Sequence, residues 1–232
     1  MNIDEFIKEV NNLGIEVSDY ELELLDRYYN LLVSYNENIN LTAITDKKQV
    51  YLKHFYDSLT ITKVINLNEV SSLCDIGTGA GFPGIVLKIF FPHLKLTLVD
   101  ALNKRINFLN EVISELNLKE VKTLHIRAEE FSKDVREEYD VVTARAVSSF
   151  NILLEYSIPL VKRGKYFIAM RGLDDTNSSD NALNILKCEV IKKNSFKLPF
   201  EDSIRTVVLV QKKENTNKKY PRKFSEIKKH PL

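Results

Sequence analysis

One segment of this chain constrains the fold more than any other. Residues 73–84 combine a short apolar run, the acid Asp75 and three glycines at alternate positions before a helical pattern begins. A second apolar run, 94–99, leads into Asp100, 19 residues after Gly81. A strand, a glycine loop, a helix and a second strand that ends in a carboxylate predict a nucleoside-binding βαβ unit. The glycines would allow the backbone to approach a ligand closely, and the carboxylate could accept both hydroxyls of a ribose.

The spacing of the glycines narrows the class of ligand. Phe82 stands where the third glycine of a dinucleotide fingerprint would fall, and no Lys-Ser or Lys-Thr pair follows, which excludes a nucleotide P-loop. The pattern Asp-x-Gly-x-Gly-x-Gly resembles the first motif of Rossmann-like methyltransferases that use S-adenosylmethionine (AdoMet). A glycine-rich turn without a ligand is the alternative, but the ordered strand, loop, helix and distant acid favour the binding unit.

Composition and charge set broader limits. A length of 232 residues suits one large α/β domain, and no apolar stretch is long enough to span a bilayer. The acidic N-terminus lacks the order of a signal peptide, and two cysteines cannot form a disulfide framework, so we expect a cytoplasmic protein. Residues 1–70 carry 6 basic and 12 acidic residues, whereas 212–232 carry 8 basic and 2 acidic ones. This asymmetry predicts a polyanionic partner on the C-terminal side, with a solvated basic tail as the alternative.

The caps and the helical spacing of apolar residues over 1–66 predict a helical extension. Ser18 to Glu21 form a capping box before an apolar stripe that ends near Asn40, and Asp46 caps a further helix. His54 and Asp57 lie three residues apart on that helix. They could be catalytic, but we expect an intra-helix polar pair.

From residue 67 onward, strands alternate with helices. The pattern predicts one unit over 67–232: a Rossmann-like α/β fold with a mostly parallel seven-stranded sheet and a terminal antiparallel strand. Gly164 is expected to turn the chain into the fifth strand, at the end of a helix over 149–162. The expected strands are 71–76, 94–100, 121–126, 139–144, 165–170, 189–197 and 204–212.

Ligand-binding residues of such a sheet lie at the carboxyl ends of its strands. The first strand supplies loop 77–82, the second supplies Asp100, and the third supplies 127–129, where a backbone N–H and a carboxylate could bracket an adenine edge. The fourth supplies Arg145, which could serve the substrate or form a surface ion pair.

Missing motifs also carry information about the reaction. The Asn/Asp-Pro-Pro-aromatic turn of enzymes that methylate exocyclic base nitrogens is replaced here by 144–147, Ala-Arg-Ala-Val, and neither cysteine is placed for attack on a pyrimidine. A ring nitrogen such as guanine N7 attacks a methyl group with its own lone pair, so its site needs positioning and electrostatics rather than a general base. An arginine near the base edge suits guanine, because N7 and O6 are both acceptors.

Seven motifs in order resemble the bacterial small-subunit ribosomal RNA guanine-N7 methyltransferases of the glucose-inhibited division protein B (RsmG) type. The motifs are 40–44, 54–59, 75–85, 100–105, 127–131, 143–146 and 219–223. The resemblance spans nearly the whole chain from about residue 38. It departs from the family at Arg171-Gly172, where Lys-Gly is usual, and after Arg222, where the usual glycine is absent.

The resemblance implies AdoMet as methyl donor and one guanine in the decoding-region loop of 16S rRNA as acceptor. The expected cofactor residues are Asp75, Gly77, Gly79, Gly81, Phe82, Asp100, Ala101, Leu102, Ala128, Glu129 and Arg145, the last of which is also the expected catalytic positioning residue. The expected RNA-binding residues are Lys104, Arg105, Arg171, Arg222 and Lys223. We expect a monomer that binds the small ribosomal subunit, uses no metal and has no membrane partner. A small-molecule methyltransferase and a non-catalytic RNA-binding module remain as alternatives.

Overall fold

The N-terminal third of the chain is helical in the computed structural model, which describes residues 1–145, 148–172, 174–176 and 179–232. Helix α1 (Ile3–Asn11) is followed by α2 (Asp19–Ile39). The predicted capping box is confirmed, because the Ser18 side chain accepts a hydrogen bond from the start of α2 and Glu21 returns to the Ser18 N–H. Asn40, with φ +46°, ends α2 in the left-handed conformation.

A third helical stretch runs without a break from residue 47 to residue 63, as predicted from the cap at Asp46. Its winding changes along the way, in the order α3 (Lys47–Val50), a π-helical turn (Tyr51–Tyr56), α4 (Asp57–Leu59) and a 3-10 turn (Thr60–Lys63). Wide turns of the π type are frequent at functional sites, and this one carries His54.

Seven strands form one sheet in the order β3-β2-β1-β4-β5-β7-β6. The strands are β1 (Ser72–Ile76), β2 (Lys95–Asp100), β3 (Val121–His125), β4 (Tyr139–Arg145), β5 (Val161–Arg171), β6 (Cys188–Lys197) and β7 (Ile204–Lys212). The first five strands pair in parallel, and β7 runs antiparallel to both of its neighbours. The mostly parallel seven-stranded sheet is therefore confirmed, with the antiparallel strand inserted beside the edge strand β6.

Helices cover both faces of the sheet. They are α5 (Gly84–Phe90), α6 (Asn103–Glu115), α7 (Ala128–Asp134), α8 (Phe150–Ser157), α9 (Asp180–Leu186) and α10 (Phe224–Lys229). One buried cluster joins the N-terminal helices to α5 and α6, and a second joins α7, α8 and α9 to the C-terminal segment. Because the first cluster includes residues from both sides of position 66, we propose that 1–66 and 67–232 unfold together. No helix of the described ranges is long and apolar enough to cross a membrane.

The fifth strand differs from the sequence prediction. Gly164 was expected to turn the chain into it, yet Gly164 lies inside β5 with φ +79°. The strand begins early because α8 ends at Ser157 and a 3-10 turn containing Pro159 follows, where proline lacks the N–H that would continue a helix. The pairing of β4 with β5 shifts register after Tyr139, and this irregularity accommodates the additional residues at the start of β5.

Candidate active site

A cavity of about 830 Å³ opens at the carboxyl ends of the parallel strands. It lies where β1 separates β2 from β4, the point at which the strand order reverses and ligands of such sheets bind. The predicted cofactor residues in its lining are Gly77, Gly79, Phe82, Asp100, Ala101, Leu102, Ala128, Glu129 and Arg145. Asp75, at the end of β1, and Gly81, within the loop, are not part of the lining. Ala146 and Val147, which follow Arg145 in the sequence motif, lie outside the described residues.

Asp75 shapes the loop from below. Its buried carboxylate accepts hydrogen bonds from the Thr78 hydroxyl at 2.7 Å and from the Gly84 N–H at 2.9 Å, so it ties the two ends of the loop together. Burial raises the pKa of Asp75 to about 7, although both hydrogen bonds act to lower it. Asp75 therefore has a structural role in the loop, and its contact with the cofactor stays a prediction, since Oδ1 has no hydrogen-bond partner among the described residues.

The two glycines at the centre of the loop have different surroundings. Gly79 has φ +62°, and a Cβ built there would have no neighbour within 4 Å, so its open side faces the cavity. Gly81 has φ +99°, and a Cβ there would lie 2.6 Å from the Tyr28 hydroxyl oxygen and 2.7 Å from Ile85 Cγ1. Packing against Tyr28 and Ile85 is therefore enough to require a glycine at this position, and ligand contact at Gly81 stays a prediction.

Asp100 closes the second side of the cavity. It is 3% exposed, and its carboxylate accepts hydrogen bonds from the N–H groups of Gly79 and Leu102, both at 2.9 Å. The Arg105 guanidinium lies 3.1 Å from the same carboxylate. A carboxylate has about four acceptor positions, so Asp100 can take a further donor from a ligand.

Glu129 begins α7 at the end of β3. Its side chain is 5% exposed and lines the cavity, and its Oε1 has no hydrogen-bond partner among the described residues. A buried acceptor without a partner is costly unless a ligand donates to it. Ala128, beside it in the lining, suits the flat face of a heterocycle.

Arg145 reaches the cavity from the end of β4. Its guanidinium donates to the Lys53 carbonyl at 2.9 Å and lies 3.3 Å from Asp57 Oδ2 and 3.3 Å from His54 Nδ1. It also lies over the Phe82 ring, 5.3 Å from the centroid. The helical extension therefore fixes the guanidinium in one place.

His54 and Asp57 were expected to form a polar pair with each other, and that prediction is wrong. Each contacts Arg145 instead, and Asp57 also lies 3.3 Å from the guanidinium of Arg205, at the start of β7. The His54 ring stacks on Phe82 with the centroids 4.5 Å apart. Burial, followed by the charge of Arg145, lowers the pKa of His54 to about 3, so this imidazole is neutral at physiological pH.

Sequence reasoning missed several lining residues. The Thr42 hydroxyl forms a hydrogen bond with Nε2 of His54 at 3.0 Å. Arg205, which contacts Asp57, lies in a strand 148 positions later in the chain. The wide turn at His54 and the basic residue in β7 have no local signal in the sequence. Arg127 was predicted as part of a strand end, and its side chain also reaches the lining together with Phe224.

The predicted RNA-binding residues separate into two groups. Arg105 and Arg171 line the cavity, whereas Lys104, Arg222 and Lys223 lie outside its lining. Arg222 forms a two-pronged ion pair with the fully buried Glu155, at 2.9 and 2.7 Å. We therefore propose a structural role for Arg222, and its binding to RNA stays a prediction.

The C-terminal segment is likewise a packed part of the fold and not a solvated tail. Tyr220 and Ile227 are buried in the second hydrophobic cluster. The guanidinium of Arg136 donates to the carbonyls of Thr216 and Tyr220, both at 2.8 Å.

Comparison with known proteins identifies the family. A family model described as rRNA small subunit methyltransferase G matches residues 21–205, which include the loop, Asp100, Glu129 and Arg145. The chain belongs to the rRNA small subunit methyltransferase G family.

Similar proteins match this chain over its whole length. A Bacillus subtilis (strain 168) protein named Ribosomal RNA small subunit methyltransferase G is 47% identical over 237 residues, covering 100% of this chain and 99% of its own. A protein of the same name from Macrococcus caseolyticus is 47% identical over 236 residues, with the same coverage.

Solved structures share the fold. An Aquifex aeolicus SAM-dependent methyltransferase gives a TM-score of 0.57 at 17% identity, covering 74% of this chain and 96% of its own. M. capricolum TrmK, solved with S-adenosyl-homocysteine, gives 0.54 at 18% identity, covering 74% and 73%. Family membership makes the chain an AdoMet-dependent methyltransferase.

The cavity residues suit AdoMet. The open side of Gly79 leaves room for a ligand against the backbone, and Asp100 retains acceptor capacity for a ribose. The unpartnered Oε1 of Glu129 matches the amino group of an adenine.

Replacing Asp100 with alanine is expected to weaken AdoMet binding by about 1.5–3 kcal/mol, because a charge-assisted hydrogen bond is lost and the Gly79 and Leu102 N–H groups lose their acceptor. Calorimetric titration of the folded variant with AdoMet measures the effect. Asp134→Ala, at an exposed carboxylate at the end of α7, is the matched control. Equal affinities for the two variants would exclude Asp100 from the cofactor site.

Proposed function

We propose that this protein transfers the methyl group of AdoMet to N7 of one guanine in the decoding-region loop of 16S rRNA, acting as a monomer. The observation that carries this proposal is that neither His54 nor Asp57, the side chains beside Arg145, is free to act as a general base. His54 is buried, with a pKa lowered to about 3, and Asp57 is engaged by two arginines. An acceptor held at Arg145 that must lose a proton before attack would therefore find no free base beside this guanidinium.

The donor would be held by backbone and carboxylates. Gly77 and Gly79 would leave room beside the loop, Asp100 would accept the ribose hydroxyls, and Glu129 would accept the adenine amino group. When bound, AdoMet supplies an electrophilic methyl group on a positively charged sulfur. Phe82, which lines the cavity between the loop and Arg145, would exclude water from the transfer.

Arg145 would position the acceptor. Its guanidinium is fixed by the Lys53 carbonyl, Asp57 and His54. A hydrogen-bond donor is therefore already in place for the acceptor edge of the guanine or for the RNA backbone beside it. Guanine presents O6 and N7 as adjacent acceptors, which arginine pairs with readily. The gain in rate would come from orientation, since the guanine lone pair displaces the sulfur directly.

RNA as the class of acceptor follows from the family and from the charges around the cavity. The lining includes Lys53, Arg105, Arg127, Arg171 and Arg205 in addition to Arg145. Lys104 and Lys223 are exposed and would extend this basic surface outward. Phosphate contacts by such residues release counterions, so binding should weaken steeply with salt.

With both substrates saturating, the chemical step is expected to show no histidine titration from about pH 6 to about pH 9, because the pKa of His54 is lowered to about 3. The Asp75 carboxyl beneath the loop, with a pKa raised to about 7, is the group expected to titrate in this range. Single-turnover measurements across this range test it. His93→Gln and His125→Gln, at histidines outside the cavity lining, should give the same profile. A rate that rises steeply through the histidine range, and loses that rise when one histidine is replaced, would indicate an acceptor that must be deprotonated.

The proposed function is tested by methyl transfer from labelled AdoMet. Small ribosomal subunits from cells that lack the gene for this chain, and the same 16S rRNA freed of protein, are the two substrates. Nucleoside analysis should recover the label as 7-methylguanosine from one position. Label in another nucleoside would overturn the N7 assignment, and AdoMet binding without transfer to either RNA would favour a small-molecule methyltransferase. The absence of AdoMet binding would favour a non-catalytic RNA-binding module.

A further inference from the structure

An exposed aromatic ring with two cations close to it lies at the rim of the cavity. Phe224 is 43% exposed, although it lines the cavity at the start of α10. The Arg127 guanidinium lies 5.3 Å from the centroid of its ring, and the Lys228 ammonium lies 6.0 Å from the same centroid. The ring is thus available to a planar ligand while its position is supported by charged neighbours.

Arg127 differs from the other cations of the cavity. Each of the others pairs with a carboxylate within the described ranges: Lys53, Arg105, Arg145, Arg171 and Arg205. Arg127 forms no ion pair with a carboxylate among the described residues, and its guanidinium lies over the Phe224 ring. Its charge, and that of Lys228, therefore remain available for an anion.

We propose that Phe224, Arg127 and Lys228 form a stacking platform for a nucleotide of the RNA substrate that lies beside the methylated base. This inference rests on the proposed RNA-methylating function. Aromatic rings stack on any base, and flanking cations bind the phosphates on either side of it. A target base drawn into the cavity leaves its neighbours unstacked, so a ring at the rim would compensate for that loss.

The alternative occupant of this ring is the adenine of the cofactor, and the charges favour RNA. Adenine is neutral and requires no cation on either side, whereas a nucleotide in RNA carries a phosphate. Ala128 and Glu129 lie deeper in the same lining and already suit the adenine. The strongly basic segment 212–232 also surrounds Phe224.

The test compares Phe224→Ala, Phe224→Leu and Phe224→Trp with wild type. The small ribosomal subunits and protein-free 16S rRNA described above serve as substrates, and AdoMet affinity is measured separately by calorimetry. Tyr20→Ala is the matched control, because Tyr20 is 63% exposed and lies outside the cavity lining. Circular dichroism establishes that each variant is folded.

Phe224→Ala and Phe224→Leu are expected to raise KM for the RNA substrate roughly 5- to 100-fold, the range for one lost base stack, and Phe224→Trp to stay within about twofold of wild type. The Kd for AdoMet should be unchanged in all three. Arg127→Gln should reduce the salt slope of RNA binding by about 1. These results would support the platform.

Other outcomes overturn the platform in distinguishable ways. If wild type methylates the RNA and Phe224→Ala does so with unchanged KM, the platform is wrong and the proposed function stands. If Phe224→Ala weakens AdoMet binding as much as RNA binding, the ring covers the cofactor instead. If Phe224→Leu behaves as wild type, apolar packing rather than stacking explains the position. If wild type transfers no methyl group to either substrate, the proposed function fails and the platform fails with it.

Discussion

Replacing Gly81 with valine is expected to destabilise the whole protein, on the order of 2–5 kcal/mol, rather than to remove cofactor binding alone. A Cβ at this position would lie 2.6 Å from the Tyr28 hydroxyl oxygen, 2.7 Å from Ile85 Cγ1 and 3.0 Å from Leu109 Cδ2. Overpacking of this kind costs about 1–3 kcal/mol, and the left-handed backbone at φ +99° adds about 1–2 kcal/mol for a residue with a side chain. Denaturant unfolding followed by circular dichroism measures the loss.

Gly79→Ala is the matched control for that substitution. Gly79 has a similar positive φ, but a Cβ there would meet nothing within 4 Å. The free energy of unfolding of Gly79→Ala should fall only by the cost of the left-handed backbone, about 1–2 kcal/mol. Its AdoMet affinity should also fall, because the added methyl group occupies cavity space. If Gly81→Val unfolds as wild type does and loses only AdoMet binding, the packing role assigned to Gly81 is incorrect.

Replacing Arg222 with alanine is expected to cost about 3–5 kcal/mol of stability, because it leaves the carboxylate of Glu155 buried without its ion-pair partner. Arg222 donates to Glu155 through its backbone N–H at 2.8 Å and through its guanidinium at 2.9 and 2.7 Å. The guanidinium also donates to the His230 carbonyl at 3.0 Å, so the final turn should loosen as well. Thermal or denaturant unfolding measures the loss.

Lys223→Ala, at the exposed neighbouring residue, is the control and should change stability by less than about 0.5 kcal/mol. Adding Glu155→Gln to Arg222→Ala should recover part of the loss, because the residue left without a partner is then neutral. A stable Arg222→Ala variant that binds RNA weakly would restore the RNA-binding assignment that the ion pair argues against.

Much of the fold could be predicted from the sequence because its signals are local. Apolar periodicity, caps and glycine spacing predicted the alternation of strands and helices, all seven strands, the glycine loop and the strand that ends in Asp100, whereas α10 was not predicted. The prediction at Gly164 was wrong because a glycine with positive φ can turn a chain or lie within an irregular strand, and the pairing of β4 with β5 decided between these.

In the candidate site, too, one residue type fits two different structural uses. The motif placed Asp75 and Gly81 beside the ligand because glycine and aspartate in a loop suit both ligand contact and tight packing. The structure separates these uses, since Asp75 ties the loop ends together and Gly81 accommodates Tyr28. Sequence order cannot distinguish the two uses, because the residues that pack beneath the loop come from a different part of the chain.

The sequence by itself determined the βαβ unit, the run of strands and helices, the kind of cofactor that its loop resembles and the identity of the ionisable groups. The tertiary structure alone decided which charges meet. Asp57 joins Arg145 to Arg205 across 88 and 148 positions, and Glu155 lies against Arg222 across 67. Local patterns encode hydrogen bonds and side-chain faces a few residues apart, whereas the partner of a buried charge depends on the distant segments that folding brings beside it.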